Sequence, residues 1–175
     1  MVNIAIIGGG ISGLTVANIL RDYANVTIFE KARGVGGRMS TRRTEHFNFD
    51  HGAQFFTAKT KEFQSFLDPI IKQDIVQIWN ARFVEFEQQN IVHERIWDES
   101  YPHYVGVPGM NAIAKYLAQD LDISLNTRIA TIKEMNAWHL IDDQGKVSEI
   151  LIGLFLLLLR RKQPILCPNL LCTVV

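Results

Sequence analysis

Three observations predict an α/β fold built on a parallel sheet. Residues 2–7 are a short apolar run rich in β-branched side chains, and Gly8, Gly9 and Gly10 end it. Apolar and small residues then recur at Ile11, Leu14, Ala17 and Leu20, near helical spacing over residues 11–22. A second apolar run, residues 25–30, closes on an acid, Glu30. Strand, helix and strand make one βαβ unit, whose strands lack polar alternation because both faces are to be buried.

The 175 residues suffice for one domain with a sizeable core, or one domain carrying a small insertion. Eighteen basic and eighteen acidic side chains cancel to zero formal charge, which argues against nucleic acid or anionic lipid as a partner. With 47% hydrophobic residues, 21% charged residues and only Cys167 and Cys172 as cysteines, neither disorder nor a disulfide scaffold fits. No basic segment precedes the apolar run at the N-terminus, so a cytoplasmic protein without a secretory signal is expected. The longest apolar run, residues 150–159, is about half of the roughly 20 residues a membrane-crossing helix needs, and no membrane span is expected.

Residues 31–57, with Gly34, Gly36, Gly37 and Gly52, read as irregular chain crossing a ligand site. Phe63, Phe66, Leu67, Ile70 and Ile71 predict a helix over residues 61–72, which Pro69 should end or kink near Asp68. Alternation from Ile75 to Phe86 predicts one strand with a bulge or face switch. A turn at residues 88–90 and a strand over 91–97 complete a hairpin. Pro108 and Gly109 introduce a helix with Met110, Ile113, Ala114, Leu117 and Leu121 on one face. Strands are expected at 123–125, 128–133, 138–141 and 147–152, with a hairpin turn at 142–145.

The final segment has a different character. Residues 150–175 hold nine leucines, against seven in the 149 residues before them, and contain no acid. No helical or strand period fits, and Pro164 and Pro168 interrupt its second half. Two readings stand: a buried strand followed by a loose end, or a change of reading frame between residues 150 and 154. Cys167 and Cys172, spaced C-x4-C in this segment, suggest neither a metal nor a redox site.

Gly8, Gly10 and Gly13 form G-x-G-x-x-G at the junction of the first strand and helix. In a Rossmann turn the first glycine makes the tight bend, the second admits a pyrophosphate, and the third lets helix and strand approach. The helix start supplies free N–H groups and positive dipole to phosphates. Glu30, seventeen residues after Gly13, ends the second strand, where a carboxylate can accept hydrogen bonds from ribose hydroxyls. The glycine pattern alone does not separate NAD from FAD. Arg33, Gly36, Gly37, Arg38, Ser40, Thr41 and Arg42 come next, and a guanidinium after paired glycines suits a second face of a pyrophosphate.

GGGISGL, FEKARGVGGRMSTR, FDHGAQFFTAKTKEF and VGVPGMNAIAKYLA, in this order and spacing, resemble the FAD-dependent amine-oxidase-like flavoproteins, most closely their renalase-like branch. The resemblance covers residues 1 to about 150. It implies a Rossmann-like FAD-binding domain of βαβ plus β-meander, interrupted by a partial α+β substrate domain. The expected segments are 1–60 and 105–152 for the FAD domain, 61–104 for the substrate domain, and 153–175 for the anomalous tail. By matching position, Gly8, Gly10, Gly13 and Glu30 would hold the ADP half of FAD, and Arg38 the pyrophosphate. Gly52, Ala53 and Gln54 would lie against the flavin, and the backbone of Ile129 would meet the adenine. Ile11, Ser12, Lys31 and Gly37 complete the expected cofactor-binding set. Family members continue past this length, so half the substrate pocket and a helix whose dipole faces the flavin are expected to be missing.

The implied chemistry is hydride transfer from a small-molecule substrate, an amine or a dihydronicotinamide isomer, to FAD, with reoxidation by O2. No nucleophile triad and no metal-ligand spacing is visible, and the five histidines are scattered. His51 and Gln54 are the candidate catalytic side chains; each could face the pocket or merely anchor its loop. Trp79, Phe83, Phe86, Trp97, Tyr101 and Tyr104 either wall a planar substrate or fill a small core. Two other functions compete: a non-catalytic, truncated FAD-binding remnant, and an NAD-dependent dehydrogenase, against which Gly36, Gly37 and Arg38 argue.

Overall fold

The computed structural model describes residues 1–135, 137–150 and the two-residue strand Leu154–Phe155. The remainder of the anomalous tail, with both cysteines, lies outside the described residues. Two compact units are present: one combines Met1–Gly37 with the chain from Leu117, and the other is Arg38–Tyr116.

The first unit begins with β1 (Val2–Ile7), α1 (Ile11–Leu20) and β2 (Ala24–Phe29), as the apolar pattern predicts. β1 and β2 pair in parallel along their full length, from Val2 opposite Ala24 to Ile7 opposite Phe29. β13 (Leu154–Phe155) adds to the other edge of β1, and β9 (Asp122–Ser124) adds to β2, giving the parallel order β13-β1-β2-β9. Successive side chains of β1 point to opposite faces. Ile6 faces α1, its methyl 3.3 Å from where a Cβ on Gly13 would stand. Ala5 and Ile7 face the other way and pack with Phe29, Ile129, Ile132 and Leu140.

Those last three residues belong to an antiparallel meander of β10 (Ile129–Glu134), β11 (Trp138–Asp142) and β12 (Val147–Ile150). The unit is thus a helix, a parallel sheet and a meander in layers, the Rossmann-like α/β architecture the sequence predicts. The expected turn at 142–145 is present. The Asp142 carboxylate accepts from the Gln144 and Lys146 N–H groups, and Gly145 supplies the positive φ of 82°.

The second unit departs more from expectation. Residues 31–57 are not wholly irregular, since a 3-10 turn at Gly37–Met39 leads into a hairpin of β3 (Thr41–Arg43) and β4 (Asn48–Asp50). The helix α2 (Lys61–Ile71) occupies the expected 61–72 stretch, and it passes through Pro69 without ending near Asp68. Proline costs one backbone hydrogen bond there, within the last turn, and the buried Leu67 and Ile70 on either side hold that turn in place. Its start is capped as expected of a threonine, Thr60 accepting from the Phe63 N–H at 3.2 Å.

The single strand expected over 75–86 is two: β5 (Val76–Ile78) and β6 (Arg82–Glu87). Between them the chain changes partner. β5 pairs with β8 (Tyr104–Gly106), whereas β6 forms a hairpin with β7 (Asn90–Ile96). Alternation cannot reveal a change of neighbour. The last helix, α3 (Asn111–Leu117), stops short of Leu121 because Asp120 adopts a left-handed conformation at φ 59°.

Leu14 is fully buried on α1 whereas Ile19 is 61% exposed. Leu14→Ala is expected to lower unfolding free energy by about 2–5 kcal/mol, and Ile19→Ala to change it by less than about 0.5 kcal/mol. Urea denaturation of the two variants checks this.

Candidate functional site: a glycine-lined turn at the start of α1

The turn from β1 into α1 is closed by backbone contact. A Cβ on Gly13 would lie 2.1 Å from the Gly8 carbonyl oxygen, so no other residue fits at this close approach. Gly8 has φ 112°, a region L side chains rarely occupy, and its N–H donates to the Phe29 carbonyl at 2.9 Å. Gly10 caps the helix without a side chain, and no atom lies within 4 Å of where its Cβ would point. The N–H groups of Ile11, Ser12 and Gly13 precede the first intrahelical bond, from Leu14 N–H to the Gly10 carbonyl, and remain donors for a ligand.

Glu30 sits immediately after β2 and is only 7% exposed. Its backbone is fixed by β9 and the loop beyond, Glu30 N–H donating to Ser124 O and Thr127 N–H donating to Glu30 O, both at 2.9 Å. Its carboxylate accepts from the Gly9 N–H at 2.6 Å through Oε2 and from the Ala32 N–H at 2.8 Å through Oε1. Each oxygen keeps a further lone pair. Gly9, absent from the expected set, is what couples the acid to the turn. Its place inside GGG is the one signal the sequence offers for it.

The second glycine pair is hydrogen-bonded to the first. Gly36 N–H donates to the Gly9 carbonyl at 2.8 Å, Gly10 and Gly36 form a parallel bridge, and a Cβ on Gly37 would be 3.5 Å from Gly10 Cα. Both adopt positive φ, 115° and 53°. Two glycine motifs well separated in sequence thus build one backbone surface at the start of α1. Lys31 is exposed beside it. Ile129 is buried in the core cluster at the start of β10, with Ala5, Ile7 and Phe29 as neighbours.

The remaining expected residues lie in the second unit. The Arg38 side chain is exposed, and among the described residues no carboxylate forms an ion pair with it. Its carbonyl oxygen accepts from the Ala53 N–H at 2.9 Å, and a Cβ on Gly52 would meet that oxygen at 2.0 Å. Arg38, Gly52 and Ala53 are therefore one contact. His51 and Gln54 are exposed; His51 Nε2 lies 3.3 Å from Ser40 Oγ. Asp50, which the sequence does not single out, precedes this loop and accepts from the hydroxyl of Thr41, which the sequence places near the pyrophosphate.

The aromatic side chains of this unit gather on Trp97, which is 6% exposed. His103 stacks on it at 3.8 Å and 4°, Phe83 stacks at 5.6 Å, and Phe55 and Trp79 meet it at 4.9 and 5.3 Å. Arg95 lies over the Phe83 ring at 4.8 Å. His103 carries no signal in the sequence that would place it here; Tyr104 instead stacks on Phe56, and Phe86 is exposed. In the turn that separates Trp97 from His103, the Ser100 hydroxyl and N–H hold the Asp98 carboxyl below its ordinary range. Trp97 Nε1 is buried with no acceptor among the described residues. The cluster thus fills a small core while leaving Phe55, Trp79 and Tyr101 partly exposed.

Among the described residues no group of three or more His, Cys, Asp or Glu side chains is arranged to hold a metal, and no helix is long and apolar enough to cross a membrane.

Comparison with known proteins bears on the glycine-lined turn and the chain that follows it. The model of the NAD(P)-binding Rossmann-like domain matches residues 6–70. The chain is 46% identical over 50 residues to pig (Sus scrofa) flavin-containing amine oxidase A, a match covering 28% of this chain and 10% of the relative. It is 37% identical over 76 residues to the 4,4'-diapophytoene desaturase of Staphylococcus aureus strain Newman, covering 37% of this chain and 15% of the relative. A putrescine oxidase variant superposes with a TM-score of 0.65 at 14% identity, over 87% of this chain and 57% of that one. The solved structure shares the fold, and the two curated relatives that match are a flavin-containing amine oxidase and a desaturase. The chain spans a small fraction of the length of these curated relatives.

Gly13→Ala is expected to destabilise the fold by about 1–3 kcal/mol, because backbone must shift to admit the methyl group. Gly34→Ala, where no atom lies within 4 Å, is expected to stay within about 0.5 kcal/mol of the parent. Thermal unfolding of both variants decides it.

Proposed function

We propose that this chain carries the FAD-binding part of a renalase-like amine oxidase, which takes hydride from an amine or dihydronicotinamide-type substrate and passes electrons to O2. The observation that carries the reading is the joining of the two glycine turns through Gly36 N–H and the Gly9 carbonyl. It supports a dinucleotide with two phosphates. The residues present fit FAD: the outer face of Gly10 is open, three helix N–H groups are free, and Glu30 retains acceptor capacity.

Hydride acceptance is the chemistry the flavin supplies when bound. The chain's own residues bind and orient. Ile11 and Ser12 would donate backbone N–H groups to phosphate, Glu30 would accept from ribose hydroxyls, and the Arg38 guanidinium would donate to the pyrophosphate. Gly37 keeps the backbone close, and Lys31 adds positive charge. Gly52, Ala53 and Gln54 would lie against the flavin, with His51 beside them, and the Ile129 backbone against the adenine. The same reading takes a small molecule as partner, not nucleic acid or membrane, and a cytoplasmic location, in keeping with zero formal net charge and two cysteines.

A second reading, that the chain binds FAD without turnover, is favoured by the exposure of both candidate catalytic side chains, His51 and Gln54. Titration followed by flavin fluorescence, then addition of amine or dihydronicotinamide, separates the two by whether bound flavin is bleached. Glu30→Ala and Arg38→Ala are each expected to weaken FAD binding by about 2 kcal/mol, roughly thirtyfold. Unchanged FAD affinity in both variants, or binding of NAD in place of FAD, would refute the assignment.

A further inference from the structure

We propose that Asp50 is a positioning residue that holds the loop of residues 51–54, and through it the Arg38 backbone, in the geometry the cofactor requires; the last clause rests on the FAD reading above. Asp50 ends β4 directly opposite Thr41 at the start of β3. Its carboxylate gathers donors from two other parts of the unit. The Thr41 hydroxyl donates to Oδ1, and the Met110 N–H reaches Oδ1 and Oδ2, both at 3.1 Å. Thr41 Oγ1 in turn accepts from the Asn111 N–H at 3.2 Å. A hydroxyl has one hydrogen, so the direction of this relay is fixed: Asn111 to Thr41 to Asp50. Gly109 belongs to the same construction, since a Cβ there would stand 2.9 Å from Thr41 Oγ1 and 3.4 Å from Asp50 Oδ1.

The loop begins one residue later. Its far side is fastened through the Arg38 carbonyl, which takes the Ala53 N–H and lies against Gly52, and just beyond the loop through Phe56, whose N–H and carbonyl pair with Tyr104 at 3.0 and 2.8 Å. The exposed His51 and Gln54 side chains add one contact between them, from His51 to Ser40. Between the anchors at Asp50 and Phe56, the Arg38 carbonyl is the backbone partner that the loop itself reaches among the described residues. Releasing the Asp50 carboxylate loosens the near end and leaves the Ala53 bond to the Arg38 carbonyl to order the loop ahead of Phe56. A residue that merely caps the start of α3 would affect Met110 and Asn111 and leave Ala53 untouched.

Amide hydrogen exchange on the full chain without added cofactor separates these roles. Asp50→Asn puts an amide NH2 where one of the donors must be accepted. It is expected to speed exchange at the Ala53 N–H about tenfold, together with that of Met110. Thr41→Val should do the same to a smaller extent, and Thr41→Ser, which keeps the hydroxyl, should restore the parent rate. If Asp50→Asn does not fold, the Thr41 pair decides alone. Faster exchange at Met110 with Ala53 unchanged would overturn the proposal and leave Asp50 as a cap for α3. With FAD added, Asp50→Asn is expected to shift the flavin absorption bands relative to the parent complex. A parent chain that takes up no FAD defeats the functional reading, while exchange at Ala53 still decides whether Asp50 holds the loop.

Discussion

The approach of α1 to β1 at Gly13 is the constraint on which the candidate site depends. With the Gly8 carbonyl 2.1 Å from where a Cβ would be, helix and strand meet at a separation that no side chain permits. The bend at Gly8 turns the Gly9 N–H toward Glu30 and the Gly9 carbonyl toward the Gly36 N–H. A buried carboxylate is costly unless hydrogen-bonded, and the two N–H donors of Gly9 and Ala32 meet that need. The same few backbone atoms thus set the helix start, the acid and the second glycine pair in one place.

Layering gives this turn its rigidity. The face of β1 that carries Ile6 meets α1, while Ala5 and Ile7 meet the meander, so β1 cannot slip by one residue without inverting both interfaces. In the second unit the corresponding role falls to polar contacts, not apolar ones. Asp50, Thr41 and the start of α3 tie together positions up to seventy residues apart, and the loop containing Gly52 and Ala53 hangs from that tie. That unit's apolar core is made of Leu67, Ile70, Val76, Met110 and Ile113, to which the aromatic cluster on Trp97 adds. The Trp97 indole N–H has no acceptor among the described residues, a state that buried polar groups rarely keep.

The legible part of the sequence is local. β1, α1 and β2 can be read from period and punctuation, the turn at Asp142 and Gly145 from its residues, and Glu30 from its spacing after Gly13. The helix over 61–71 follows its apolar spacing, and it runs past Pro69 because the buried neighbours Leu67 and Ile70 outweigh a breaker placed in a last turn. The division of residues 75–86 is hidden because β5 and β6 answer to different partners. Within the site, Gly9 and Asp50 lie inside recognisable motifs but act through contacts 21 and 60 residues away, which a pattern of spacings does not encode.

The most direct test of the central claim is an amide NMR spectrum of the isotopically labelled chain, recorded as FAD is added. Hydrogen bonding of a pyrophosphate at the start of α1 predicts the largest shifts at Gly10, Ile11, Ser12 and Gly13, with Gly36 and Gly37 moving at the same midpoint. Shifts confined to other parts of the chain, or none at these six amides at saturating FAD, would contradict it.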